Sequence, residues 1–180
     1  MLDALQMSPF GALHTLIGLA AVVAGIVSLA RFQEISLRSL AGQVYVIATV
    51  LTCATGLGIF HHGGFGKPHA LAIVTLIVLT VAVVADRERL FGRVSRYVEV
   101  IAYSTTFFFH MIPAVNETAT RLPIGAPLAA AGEAAALQVV AGLLFLVLLA
   151  GLSLQIRRLR TDIRIVPSEV DPVRPQAISE

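Results

Sequence analysis

The chain has 180 residues, of which 57% are hydrophobic and 13% charged, with a formal net charge of +2. A water-soluble domain carries roughly 45–50% apolar and about 25% charged residues. So little charge cannot clothe a globule in water, which excludes a soluble enzyme, a nucleic-acid binder and a disordered regulator and leaves an integral membrane protein, with the lipid bilayer as its solvent. The single cysteine, Cys53, excludes a disulfide framework within the chain.

A membrane-crossing helix needs about 20 mostly apolar residues, and five runs meet that length. They are residues 9–30, 42–60, 68–85, 97–115 and 135–156. Ser8-Pro9 is a helix start: serine as N-cap, proline at the first helical position, where its missing N–H costs nothing. No basic residue precedes this run and its apolar stretch is long, so it is expected to be a span and not a cleaved signal. Within it Gly11, Gly18 and Gly25 recur every seven residues, and His14 shares their face. The second run answers with Gly42, Thr49 and Gly56, flanked by Tyr45, Thr52 and Cys53. Small residues in register let two backbones approach closely, so these six positions predict a packing seam between the first two helices. The missing side chains are also expected to leave room beside His14 for a flat cofactor.

Pro68 opens the third run, with His69 beside it. The fourth carries Glu99, Tyr103, Thr106, His110 and Glu117 at helical spacing, so one face holds nearly every polar group of that span. Lipid-facing helices are not built that way, and this face is expected to look into the bundle. In the fifth run Gln138 and Ser153 stand out as polar, and the helix is expected to be structural. Residues 116–134, with Pro123, Gly125, Pro127 and Gly132, form the one long connection, and Glu117 is expected to begin it. The reading is therefore a five-helix transmembrane domain over residues 1–160 and a flexible polar tail over 161–180.

Basic residues set the orientation. If all five runs span, 11 of the 13 Lys and Arg fall on one side, leaving only Lys67 and Arg121 on the other. The positive-inside rule puts the eleven in the cytoplasm, the N-terminus outside and the C-terminus inside. All five histidines, His14, His61, His62, His69 and His110, then belong to the extracytoplasmic half, with Glu117 near the same layer. Ionisable residues at such depth are costly and are usually kept for function.

Imidazole is the commonest protein metal ligand and an axial ligand of haem. His14, His69 and His110 are the expected cofactor-binding residues. A metal would draw on the wider set His14, His61, His62, His69, His110 and Glu117, with Tyr103 and Thr106 orienting the ring of His110 from behind. Two histidines on facing helices beside glycines suit a b-type haem. Three with an open position suit zinc, and mixed donors suit copper. No Walker, dinucleotide or Cys-x-x-Cys motif is present.

His14-x-x-x-Gly18 in the first helix and Arg38-x-x-x-Gly42-x-x-Tyr45 entering the second resemble small bacterial inner-membrane proteins that are in turn similar to cytochrome b561-type helical bundles. The resemblance covers the first two helices and implies an inner-membrane location and haem binding. In that pattern a histidine often stands where this chain has Arg38, which implies that no second haem sits on the cytoplasmic side. Three functions stay open: a haem-binding or redox-active protein exchanging electrons with a quinone or a periplasmic partner; a zinc or copper protein, catalytic or metal-handling; or a cofactor-free accessory subunit of a homo-oligomer or larger membrane complex.

Overall fold

A computed structural model describes residues 8–60, 64–88, 90–121 and 134–165, with side chains described over 138–161 in the last stretch. Five helices follow one another: α1 (Pro9–Phe32), α2 (Leu40–Leu57), α3 (Lys67–Glu88), α4 (Ser95–Arg121) and α5 (Ala134–Ile165). All five contain a window long and apolar enough to cross a bilayer. Their outer faces carry Leu16, Leu19, Ile47, Ile77, Leu146 and Val147 in the open. A continuous apolar surface of that kind is unstable in water and at ease in lipid. The chain is an all-helical membrane bundle.

The first two helices start as their sequences dictate. Ser8 Oγ accepts the Gly11 N–H at 3.0 Å with Pro9 following it, and Ser39 Oγ accepts the Gly42 N–H at 3.0 Å. α1 stops where Gln33 turns into the left-handed region at φ 61° and its N–H returns to the Leu29 carbonyl. Between α3 and α4 a 3-10 turn over Gly92–Val94 reverses the chain.

Two boundaries differ from those read in the sequence. α4 runs through Pro113 to Arg121. Proline removes one backbone hydrogen bond, but a membrane leaves a segment few alternatives to helix, and α4 continues. Glu117 therefore lies on α4 and does not begin the long connection, of which residues 122–133 lie outside the described residues. α5 likewise runs past residue 160 to Ile165, because a helix leaving the bilayer need not end at the water boundary. The rest of the expected tail, 166–180, lies outside the described residues.

The core belongs to α1–α4 and is built from small residues and two tyrosines: Ala21, Ala24, Tyr45, Ala48, Ala82, Ala102 and Tyr103. α1 packs mainly on α2, α3 on α4, and α2 on α3. α5 lies against α4, with none of its apolar window buried. The small-residue seam holds in part. Gly18 faces Thr52, and a Cβ at Gly56 would sit 3.1 Å from Cε1 of His14. Gly25 meets Tyr45 of α2, 3.2 Å from where its Cβ would lie, and also Phe107 of α4, whose ring would come within 2.6 Å. The remaining glycines do different work. Gly42 lies under the Ser36 carbonyl in the α1–α2 connection, and Gly11 meets only its own cap, Ser8. A seven-residue repeat drifts around a straight helix, so its ends face different neighbours from its middle.

Candidate histidine site

The site is built on threonines. In an apolar helix a threonine hydroxyl satisfies itself by donating to a carbonyl one turn back. Thr49 donates to the Tyr45 carbonyl at 2.7 Å, Thr55 to that of Leu51 at 2.8 Å, and Thr106 to that of Tyr103 at 2.8 Å. With its one proton committed, each hydroxyl can only accept from a further partner. That requirement fixes the protons of three neighbours.

His14 Nδ1 lies 2.9 Å from Thr55 Oγ1, so Nδ1 carries the proton and Nε2 keeps the lone pair. His110 Nε2 lies 3.0 Å from Thr49 Oγ1, so Nε2 carries the proton and Nδ1 keeps the lone pair. Tyr45, whose hydroxyl is 2.8 Å from Thr106 Oγ1, is the donor in that pair. The ring of Tyr45 also meets that of His110 edge-on at 5.9 Å. The His14 imidazole itself takes the space at Gly56, and Thr52 stands against Gly18. His14 and His110 are close enough to act on one another electrostatically, and Glu117 acts on His14 in the same way. Two imidazoles, each held by one ring N–H on a threonine of α2, thus stand toward one end of the bundle.

His69 does something else, which corrects its expected role as a ligand. Its Nδ1 accepts the Gly66 backbone N–H at 3.2 Å. A backbone N–H can only donate, so the lone pair of His69 is used there and Nε2 carries the proton. The geometry is that of a helix cap, in which a side chain in the first turn reaches back to the N–H just before the helix. The rings of Phe60 and Phe65 stack over it at 4.7 and 5.3 Å. Tyr103 and Thr106 are also reassigned: both are buried on the inward face of α4 as expected, but the hydroxyl that orients His110 is Thr49 on α2. His61 and His62 lie outside the described residues. Among the described residues no three His, Cys, Asp or Glu side chains gather closely enough to share a metal ion.

The opposite end holds a second polar centre that the sequence reading did not assemble. Arg38, in the α1–α2 connection, donates to Asp86 Oδ1 of α3 at 2.8 Å and to Glu99 Oε1 of α4 at 2.6 Å. Arg96 donates to the same Glu99 oxygen at 2.7 Å and pairs with Glu34. Asp86 Oδ2 accepts the Leu37 N–H at 2.9 Å and the Ser36 hydroxyl at 3.2 Å, holding the connection shut. Glu99 is only 2% exposed, and two guanidiniums face it in place of water. Gln155 was also missed: it accepts from Ser104 on α4 and donates to the Gln33 carbonyl, fastening α5 at this end. The spacing Glu34–Arg38 was a visible i,i+4 pair. The partners on α3 and α4 lie about 50 residues or more away in sequence, and no local pattern announces them.

No protein-family model, curated protein or solved structure matches this chain.

Proposed function

We propose that this chain is a membrane-embedded haem-binding, redox-active protein, with His14 and His110 as the ligands. The observation that supports this is the pair of fixed tautomers. A histidine that ligates iron or another metal donates its other ring N–H to an acceptor that orients it, and each of these imidazoles does so to a threonine. His14 and His110 are the residues that would hold a b-type haem, and this is the reading that the b561-like pattern of the first two helices implies. Haem, when bound, supplies one-electron chemistry. The chain itself holds the two rings through the hydroxyls of Thr55 and Thr49 and surrounds them with apolar helix faces. A quinone in the bilayer or a periplasmic redox protein is the partner class such a site would meet.

The orientation belongs to the same proposal: the arginine-rich end lies in the cytoplasm and the histidine end outside, on the weight of 11 of 13 basic residues. A second reading, a zinc or copper site, is favoured by Glu117, whose carboxylate lies within electrostatic reach of His14 and adds an oxygen donor.

The test is an absorbance spectrum and elemental analysis of the full chain purified from haem-supplemented membranes. A Soret band is expected, lost in His14→Ala and in His110→Ala and kept in His69→Ala. A colourless protein with stoichiometric zinc or copper would replace the first reading by the second, and a colourless, metal-free protein would overturn both.

A further inference from the structure

At the histidine end the bundle is not closed between α3, α4 and α5. α5 packs on α4 and not closely on α3, which leaves a slot between them. A groove of about 330 Å³ lies there, walled by Leu71 of α3, Ile112 and Val115 of α4, and Val140 and Leu144 of α5. The polar side chains in its lining are those of Lys67, the first residue of α3, and Asn116 of α4. Leu71 lies one turn deeper than Lys67 and Ile112 one turn deeper than Asn116, about 6 Å at 1.5 Å per residue. The groove is therefore polar and cationic at its mouth and apolar inside. Lys67 is exposed and forms no ion pair among the described residues. The carboxylate that follows Asn116, Glu117, pairs with Arg121 at 2.6 Å.

We propose that this groove holds one acyl chain of an anionic phospholipid, with the lipid phosphate at Lys67 and Asn116. An apolar slot open to the bilayer accepts any acyl chain, so the charge at its mouth is what selects. An ammonium without a carboxylate partner at the edge of the hydrocarbon meets phospholipid phosphate as its commonest anion, and basic pockets between membrane helices bind head groups in this way. The ammonium and the Asn116 amide N–H groups donate, and phosphate oxygens accept from both. Phosphatidylcholine and phosphatidylethanolamine carry a cation of their own that offsets Lys67, whereas phosphatidylglycerol does not. The volume is at the low end of the roughly 300–1,000 Å³ of small-molecule pockets, which suits a single chain and not a whole lipid. The site lies away from the His14–Thr55 pair of α1 and α2 and does not rest on the haem reading.

The chain contains no tryptophan, so one introduced residue is its sole indole fluorophore. Leu144→Trp places it in the groove wall, and Leu146→Trp places it on the open face of α5, where the native leucine is 60% exposed. Each full-length variant is reconstituted in phosphatidylcholine vesicles whose brominated chains are carried either by phosphatidylglycerol or by phosphatidylcholine at equal mole fraction. Quenching is read relative to bromine-free vesicles, so a bound haem leaves the comparison intact. Several-fold stronger quenching by the brominated phosphatidylglycerol is expected for Leu144→Trp, and equal quenching by the two lipids for Leu146→Trp. Adding Lys67→Gln to Leu144→Trp should abolish the preference. Native mass spectrometry in neutral detergent gives a second measure, in which the parent chain should retain one phosphatidylglycerol more than Lys67→Gln does. Equal quenching of Leu144→Trp by both lipids, the same preference at Leu146→Trp, or a preference that survives Lys67→Gln would overturn the site. Displacement of the phospholipid by an equimolar fatty acid would overturn the choice of occupant.

Discussion

Single backbone positions decide how tightly the first two helices can be joined. A Cβ at Gly42 would lie 2.0 Å from the Ser36 carbonyl oxygen, and the neighbour is backbone, which cannot swing aside. Forcing extra atoms into a packed site costs about 1–3 kcal/mol. Gly42→Ala should therefore lower the thermal transition in detergent measurably, while Gly64→Ala, with nothing within 4 Å, should not. A silent Gly42→Ala would mean that the turn over Ser36 is looser than described. The histidines show the same dependence on one atom: the Thr55 and Thr49 hydroxyls set which nitrogen of each ring is free, and no inspection of the histidines alone would reveal it.

Helices and their connections are held at one end by charge in a way that apolar helix faces cannot achieve. Van der Waals packing orders α1–α4, yet lipid is as apolar as leucine and gives little drive for one register over another. Arg38 supplies that specificity, reaching α3 through Asp86 and α4 through Glu99. Asp86→Ala should cost about 1–3 kcal/mol, chiefly by leaving the Leu37 N–H and the Ser36 hydroxyl unpaired. The side chain of Arg38 is 53% exposed, so solvent weakens its own share of the ion pairs. A double-mutant cycle between Arg38→Ala and Asp86→Ala, followed by detergent-melting stability, should show coupling above about 0.5 kcal/mol. Additive losses would show that the two act independently. α5 depends on fewer ties, among them Gln155 to Ser104 and to the end of α1, and Arg158 to the Phe32 carbonyl.

At the scale of the whole molecule, the proposed orientation in the bilayer rests on the asymmetry of basic residues. Arg31 and Arg87 stand in the last turns of α1 and α3, Arg96 in the first turn of α4, and Arg38 and Arg93 in the α1–α2 and α3–α4 connections. Reporter fusions placed after Arg160 should behave as cytoplasmic, and fusions within residues 122–133 as extracytoplasmic. The reverse pattern would invert the bundle and place the histidines toward the cytoplasm. The amino-acid sequence alone determined that the chain lives in a membrane, that it has five spans, and that one face of α4 turns inward, because these depend on composition, run length and helical periodicity. It also named His14 and His110 as candidates. Only the tertiary structure decided that His69 caps α3 and has no lone pair to spare, that Thr49 and not Thr106 orients His110, and that Arg38, Asp86 and Glu99 close into one network. Periodicity reports which face of a helix a residue occupies. Which atom on another helix it meets depends on the rotation and approach of both helices, and that is settled only when the whole bundle packs.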